Sequence, residues 1–216
     1  MVPCDLSEGR GAGNALRRMD CLIRRWHVLS IVIPTQNCER VLVRTLAMLV
    51  AGAAAGLVRE VILADAGSTD ATAEVGDIAG CRVLSSPLPL ASRLKAAAAE
   101  ARAPWLMFLR PGVVLEPTWV DETADFIECS AAQAAVFRRL PGKEPARPMP
   151  LEVLALIRLA LGGRPRPQQG LVISRQLYEN IGGHRAHSID PEGDLLRRLG
   201  RKHLVCLRSG ALQTGD

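Results

Sequence analysis

The stretch Glu60-Val-Ile-Leu-Ala-Asp65-Ala-Gly-Ser-Thr-Asp70-Ala-Thr72 decides how the chain is read. An apolar run ends in a carboxylate, a Gly-Ser-Thr turn follows, and Asp70 opens a helical segment. Each turn residue has a local use, since Ser68, Thr69 or Asp70 can cap the helix that comes next. Asp65 asks for more. A carboxylate delivered to the carboxyl end of a buried strand must find donors, and a nucleobase or ribose would supply them.

Outward from this segment the pattern alternates. Upstream lies Leu29–Pro34, a short β-branched run, and then Arg40–Gly52 with helical character. Downstream, helices are expected over Asp70–Ile78, Leu90–Arg102 and Thr118–Cys129, and strands over Arg82–Ser85, Trp105–Leu109 and Ala134–Leu140. Beyond the Pro-rich stretch that begins at Pro141, a helix is expected at Leu151–Leu161, a strand at Leu171–Ser174 and a helix at Arg175–Ile181. A further helix at Leu195–Leu199 and a last strand at His203–Arg208 close the chain. Strands alternating with helices predict an α/β domain over residues 29–216, a mostly parallel central sheet flanked by helices. Residues 1–28 show no sustained periodicity and are expected to be a poorly ordered extension, with Met19 as an alternative start. In open α/β sheets ligands bind outside the carboxyl ends of the strands. Three such ends carry informative residues: Pro34 to Asn37, Asp65 to Asp70, and Arg110-Pro111-Gly112.

Composition narrows the classes. The chain has 216 residues, enough for one domain that buries a core without disulfides or metals. With 48% hydrophobic and 23% charged residues it is neither disordered nor low-complexity. Three Trp, one Tyr and three Phe leave the core to Leu, Val, Ile and Ala, which suits helices packed on a buried parallel sheet. Net charge runs from +2 over residues 1–28 through −4 over 29–137 to +7 over 138–216. A basic last third points to a phosphate-bearing ligand or an anionic membrane surface, unless it is simply a solvated face. Nucleic acid is not expected, because the aromatic platforms for stacking bases are missing. The six cysteines lack metal-ligand spacing and are expected to be scattered buried thiols in a reducing cytoplasm. Residues 1–28 contain no apolar run with a cleavage site, and Val41–Val58, interrupted by Arg44, is expected to be a buried helix rather than a membrane span.

Leu29-Ser-Ile-Val-Ile-Pro-Thr-Gln-Asn37 together with the Glu60–Thr72 segment resembles the start of a family 2 glycosyltransferase of GT-A fold. Arg93 to Leu109 resembles the family's helix and strand leading to its metal-binding Asp-x-Asp. Gln169 to Gly183 resembles the segment lining the acceptor side, and Asp190 to Arg201 the segment that supplies the catalytic base. The likeness covers roughly residues 29–208 and is greatest to short bacterial members encoded beside radical-SAM proteins. It implies a reaction in which a nucleotide-diphosphate sugar gives its glycosyl group to an acceptor hydroxyl, in cell-envelope glycan or glycolipid synthesis. It also implies a donor site built from Pro34, Thr35, Asn37, Asp65, Ser68, Arg93 and Arg110, an acceptor that is unidentified or lipid-linked, and a protein that is cytoplasmic or peripheral on the inner face of the membrane.

The chain departs from the family in two places. Arg110 and Gly112 stand where the Asp-x-Asp carboxylates would be, so Mg²⁺ or Mn²⁺ binding is in doubt and no metal ligand is assigned. Either Arg110 replaces the metal by clamping phosphate oxygens in a fork, or the site has decayed, or a metal is held elsewhere. Glu192 falls where the family's base Asp would be, with Pro191 before it. Asp190 and Asp194 are lesser candidates for the base. A local reading competes, in which Asp190 is an N-cap, Pro191 the first helical residue and Glu192 a first-turn acid. The rival to an active transferase is a catalytically inactive nucleotide-sugar-binding homologue. Arg164, Arg166, Arg197, Arg198 and Arg201 are candidates to face a diphosphate or a lipid-linked acceptor. His184 and His187 lie in a Gly-Gly loop that could act as a lid.

Overall fold

Strand β1 (Leu29–Thr35) is buried along nearly its whole length, and its alternation sorts the core into two layers. Leu29, Ile31 and Ile33 point to one face and pack with Leu42, Leu46 and Leu49 of helix α1 (Glu39–Ala54) and Trp119 of helix α4 (Trp119–Cys129). Val32 points to the other face, with Leu94, Ala97 and Ala98 of helix α3 (Leu90–Glu100) and Leu195, Leu196 and Leu199 of helix α6 (Pro191–Leu199). A two-residue period with both faces apolar needs helices on both sides of the sheet, as in other parallel sheets. The alanines of α3 let it approach the strands closely.

The computed structural model describes residues 28–130, 132–140 and 166–214. The remaining elements are β2 (Val58–Asp65), α2 (Thr72–Ile78), β3 (Arg82–Ser85), β4 (Trp105–Phe108), β5 (Val113–Leu115), β6 (Ala134–Arg139), β7 (Leu171–Ser174), α5 (Arg175–Asn180) and β8 (Leu204–Gln213). The strands form one sheet in the order β3-β2-β1-β4-β7-β6-β8-β5. β1 pairs in parallel with β2, in a register that sets Thr35 beside Asp65, and with β4 on its other edge. Six of the eight strands run one way; β7 and β5 run against them. The chain moves outward from β1 to β3 and then returns to β4 across β1. The carboxyl ends of β1 and β4 therefore flank a topological switch point, where such sheets open a ligand crevice.

Several expectations are corrected in detail. The Val41–Val58 stretch is a helix that stops at Ala54 and a strand that begins at Val58, and the helix is amphipathic, with Val43 and Val50 exposed. Strand β5 was not expected, and the last strand runs to Gln213 because its end pairs with β5. Helix α6 begins four residues earlier than its apolar residues indicate, at the Pro191 start that the capping pattern describes. Cys129 and Cys206 are exposed and Cys38 and Cys81 half-buried, so the described thiols are not core residues. The N-terminal extension, Cys4, Cys21 and the helix expected at Leu151–Leu161 lie outside the described residues.

Candidate functional site

The loops after β1 and β2 are tied to each other. Asn37, with φ of +45°, donates its backbone N–H to Ser68 Oγ (3.0 Å), and its Oδ1 accepts from Thr69 N (2.8 Å). Cys38 N donates to Thr72 Oγ1 (2.8 Å), and Ala71 N donates to Glu39 Oε2 (3.1 Å). Asp70 accepts from Thr72 N (3.0 Å) and Glu39 N (3.4 Å), so it bridges the starts of two helices. The Gly-Ser-Thr turn is thus both a local turn and half of an inter-loop clasp.

Asp65 organises this clasp from below. Its Oδ1 accepts from Thr35 Oγ1 (2.9 Å) and Ser68 Oγ (2.5 Å). Its Oδ2 accepts from Gly67 N and Ser68 N (2.8 Å each) and, at 3.4 Å, from Ser85 Oγ. A carboxylate offers about four lone-pair sites, so loop donors already engage it fully. Burial pushes its pKa up, but the hydrogen bonds from Ser68, Thr35 and Gly67 outweigh that and leave it below the ordinary carboxylate value. Arg93, buried on α3, reaches under the same loops. Its Nη1 donates to the Thr35 (3.2 Å) and Ala64 (2.5 Å) carbonyls and its Nε to Leu88 O (3.1 Å). Arg93 therefore fixes the ends of β1 and β2, while Pro34 sits half-buried beside Ala64.

Arg110 and Glu192 meet. Arg110 Nε donates to Glu192 Oε2 at 2.8 Å, and Nη2 donates to the same oxygen. The Glu192 side chain is 8% exposed and that of Arg110 34%. The pair joins the loop after β4 to the first turn of α6, where the helix dipole also favours an acid. Nη1 and one Nη2 hydrogen of Arg110 stay uncommitted by this bond, and Oε1 of Glu192 is not part of it. Asp190 caps α6 by accepting from Gly193 N (3.0 Å). Asp194 is held by Arg198 Nε (2.9 Å) and Arg197 Nη2 (3.7 Å). Of the three carboxylates considered as base, Glu192 alone joins the Arg110 loop.

Position 112 is closed to a carboxylate. Gly112 has φ of +81°, and a Cβ there would lie 2.8 Å from Gln213 Nε2 and 2.9 Å from the Thr214 carbonyl. Its N–H donates to Thr45 Oγ1 (2.9 Å), and its carbonyl accepts from Thr214 N (2.8 Å). Among the described residues no group of three or more His, Cys, Asp or Glu side chains is placed to hold a metal ion. A guanidinium at 110 and a filled backbone niche at 112 do not fit the divalent cation that the fold family implies.

On the far side of Glu192 lies the loop after α5. Tyr178 Oη accepts from His184 N (3.1 Å) and lies 2.9 Å from His184 Nδ1. Arg198 donates to the Ile181 carbonyl and to that of Gly183 (2.5 Å). The Gly-Gly loop is thereby clamped at its base rather than hinged there. Burial, then the nearby Arg198, pull the His184 pKa down to about 4. A cavity of about 10 Å³, lined by Phe108, His184, Glu192 and Arg166 among others, separates this loop from the Arg110 pair. Arg164 lies outside the described residues.

Of the residues expected at the site, Thr35, Asn37, Asp65, Ser68 and Arg93 fall in one network, and Arg110, expected at the donor site, pairs with Glu192, expected as the base, in another. Sequence reasoning missed Ser85, Thr45 and Tyr178. Ser85 ends a strand beside Asp65, and that position at a carboxyl end was the available signal.

The sequence profile described as glycosyl transferase family 2 matches residues 30–186. Among solved structures, glucosyl-3-phosphoglycerate synthase from Mycobacterium tuberculosis in complex with Mn²⁺, UDP and glucosyl-3-phosphoglycerate is 22% identical, with a TM-score of 0.64 over 99% of this chain and 81% of that one. The same enzyme with Mn²⁺, UDP-glucose and phosphoglyceric acid is 21% identical, with a TM-score of 0.66 over 100% and 81% of the two chains. A mycobacterial protein is 23% identical, with a TM-score of 0.64 over 91% and 70%. No curated protein matches the chain. No helix among the described residues is long and apolar enough to cross a membrane.

Proposed function

Because the chain belongs to glycosyl transferase family 2 and has the GT-A fold, we propose that it moves a glycosyl group from a nucleotide-diphosphate sugar to an acceptor hydroxyl. The observation that carries this reading is the Arg110–Glu192 pair beside the clasped loops at the sheet's switch point. The nucleoside lies against Pro34, Thr35, Asn37 and Ser68. Asp65 holds the loop, and the long Ser85 contact is the one that a base or ribose donor displaces. Arg110 offers its uncommitted N–H groups to the diphosphate and does without a metal what a bridging cation would do.

In the transfer, the acceptor oxygen attacks the anomeric carbon, and the bond to the diphosphate breaks with its electron pair going to the diphosphate. The acceptor proton passes to Glu192, whose Oε1 is outside the Arg110 bond. As negative charge grows on the leaving group, Arg110 is drawn toward it. The basic last third of the chain supports an anionic partner at a cell-envelope glycan or glycolipid. A second reading, a binding protein without turnover, is favoured by the commitment of Glu192 to Arg110.

Calorimetric titration of UDP-, GDP- and dTDP-sugars, with EDTA or Mn²⁺, tests the donor site. Release of nucleoside diphosphate with and without acceptor tests turnover. Tight binding without release supports the second reading; no binding of any nucleotide sugar overturns both.

A further inference from the structure

Between α3 and α6, next to the small cavity behind Glu192, an open cleft of about 450 Å³ is lined by Lys95, His184, Arg185, His187, Ser188 and Asp194. Its charges are unbalanced. Asp194, the acid in that lining, is neutralised by Arg198 and Arg197. Lys95 and Arg185, both exposed, make no ion pair with any described residue. The floor is built rather than loose, because Arg198 and Tyr178 hold the loop that carries Arg185.

His184 adds a second, independent observation. Its side chain is buried, with 1% of the residue exposed, and its Nε2 has no hydrogen-bond partner. Tyr178 Oη accepts the His184 backbone N–H and lies 2.9 Å from Nδ1; when the Tyr proton is given to Nδ1, the ring proton of the neutral imidazole falls on Nε2. The unpartnered atom is then a buried donor, and a buried donor without an acceptor is costly. Two cations without an ion pair among the described residues, in a cleft whose lining includes the buried His184, call for an oxygen-rich anion.

We infer that this cleft binds the anionic group of the acceptor, a phosphate monoester or a carboxylate, held by Lys95 and Arg185 and approached by His184. On the sugar-transfer reading above, this places the anion beside Glu192, which lines the adjoining cavity with His184. The anion belongs either to a small phosphorylated hydroxy compound or to a lipid headgroup.

The test is equilibrium binding to the full chain, independent of turnover. Glycerol 3-phosphate and inorganic phosphate are titrated by calorimetry, and vesicles of phosphatidic acid or phosphatidylcholine are co-sedimented. Lys95→Ala with Arg185→Ala should weaken the anion by about tenfold or more, the loss expected when charge-assisted hydrogen bonds are removed. Arg110→Ala should leave it unchanged, and nucleotide affinity should survive the Lys95 and Arg185 substitutions. Binding of the soluble monoester, lost in that double variant, supports a small acceptor. Binding of phosphatidic acid vesicles alone, lost likewise, supports a lipid. The cleft assignment is overturned if neither probe binds, or if binding follows Arg110 rather than Lys95 and Arg185. Intact nucleotide binding in that case leaves the sugar-transfer reading standing; lost nucleotide binding with an intact anion site would sink the transfer reading alone.

Discussion

Removing Arg110 should destabilise the fold even though the residue is a third exposed. Arg110→Ala strips two donors from Glu192 Oε2 and leaves a carboxylate that is 8% exposed without its counter-charge. Two charges about 4 Å apart attract by about 4 kcal/mol at an intermediate effective dielectric, but desolvation offsets most of that. Exposed pairs contribute about 1 kcal/mol or less and breaking fully buried ones costs about 3–5. With one partner a third exposed, Arg110→Ala should cost about 2 kcal/mol, and Glu192→Gln about 1, since the freed guanidinium can turn to solvent. The double variant should cost less than the sum, with a coupling of roughly 1 kcal/mol. Urea denaturation of all four proteins closes the cycle, and Arg110→Ala should melt about 4–8 °C lower. Coupling should shrink when a nucleoside diphosphate is bound, because the ligand shares the guanidinium. Additive costs would refute an energetic pair. An undiminished coupling with ligand bound would refute the phosphate clamp.

Stability should fall as the pH drops from about 6.5 to about 4. Within that window the unfolded chain protonates His184 while the folded one keeps it neutral, so protons favour unfolding, by up to roughly 2–3 kcal/mol. Urea midpoints at pH 7.5 and 4.5 measure this, and His184→Gln should flatten the difference. Asp65→Asn turns an acceptor into a donor facing the Gly67 and Ser68 N–H groups. It should lower stability by about 1–3 kcal/mol as well as weaken nucleotide binding; unchanged denaturation would contradict its role as loop organiser. Restoring the carboxylates by Arg110→Asp with Gly112→Asp should not create Mn²⁺ binding. The Gly112 change should itself cost about 1–3 kcal/mol for left-handed backbone with no room for a Cβ. A manganese titration by calorimetry decides it.

The parts of the fold that follow from local pattern were legible in the sequence. Leu29–Pro34 and Glu60–Asp65 are buried parallel neighbours because each is apolar on both faces and a helix separates them. The direction of β7 was not legible. Leu171–Ser174 has the composition of a parallel core strand, and nothing in four residues records that the chain enters from the opposite end. β5 is three residues long and exists because β8 pairs with it. For the site, Asp65 and Asn37 stood out by their place at strand ends and Ser68 by turn chemistry, whereas their hydrogen bonds to one another depend on the parallel register that sets Thr35 beside Asp65. Arg110 and Glu192 stood out separately, as two departures. Their pairing bridges 82 positions and no local rule reports it.

That pairing changes what the two departures mean. A cationic residue after β4 would repel a divalent ion and needs a counter-charge; an acid in the first turn of α6 supplies it, two residues after an Asp190 cap that fixes the helix start. Gly112 is enclosed by Thr45 and the end of β8, which leave no room for a side chain there. An empty pocket has no physical need for a buried acid matched to this guanidinium. Neutral replacements at both positions would be cheaper, since an ion pair with one partner buried contributes little net stability. The arrangement is economical only if the guanidinium has a further use. Its uncommitted N–H groups lie at the switch point of the sheet, where a leaving diphosphate would place its oxygens.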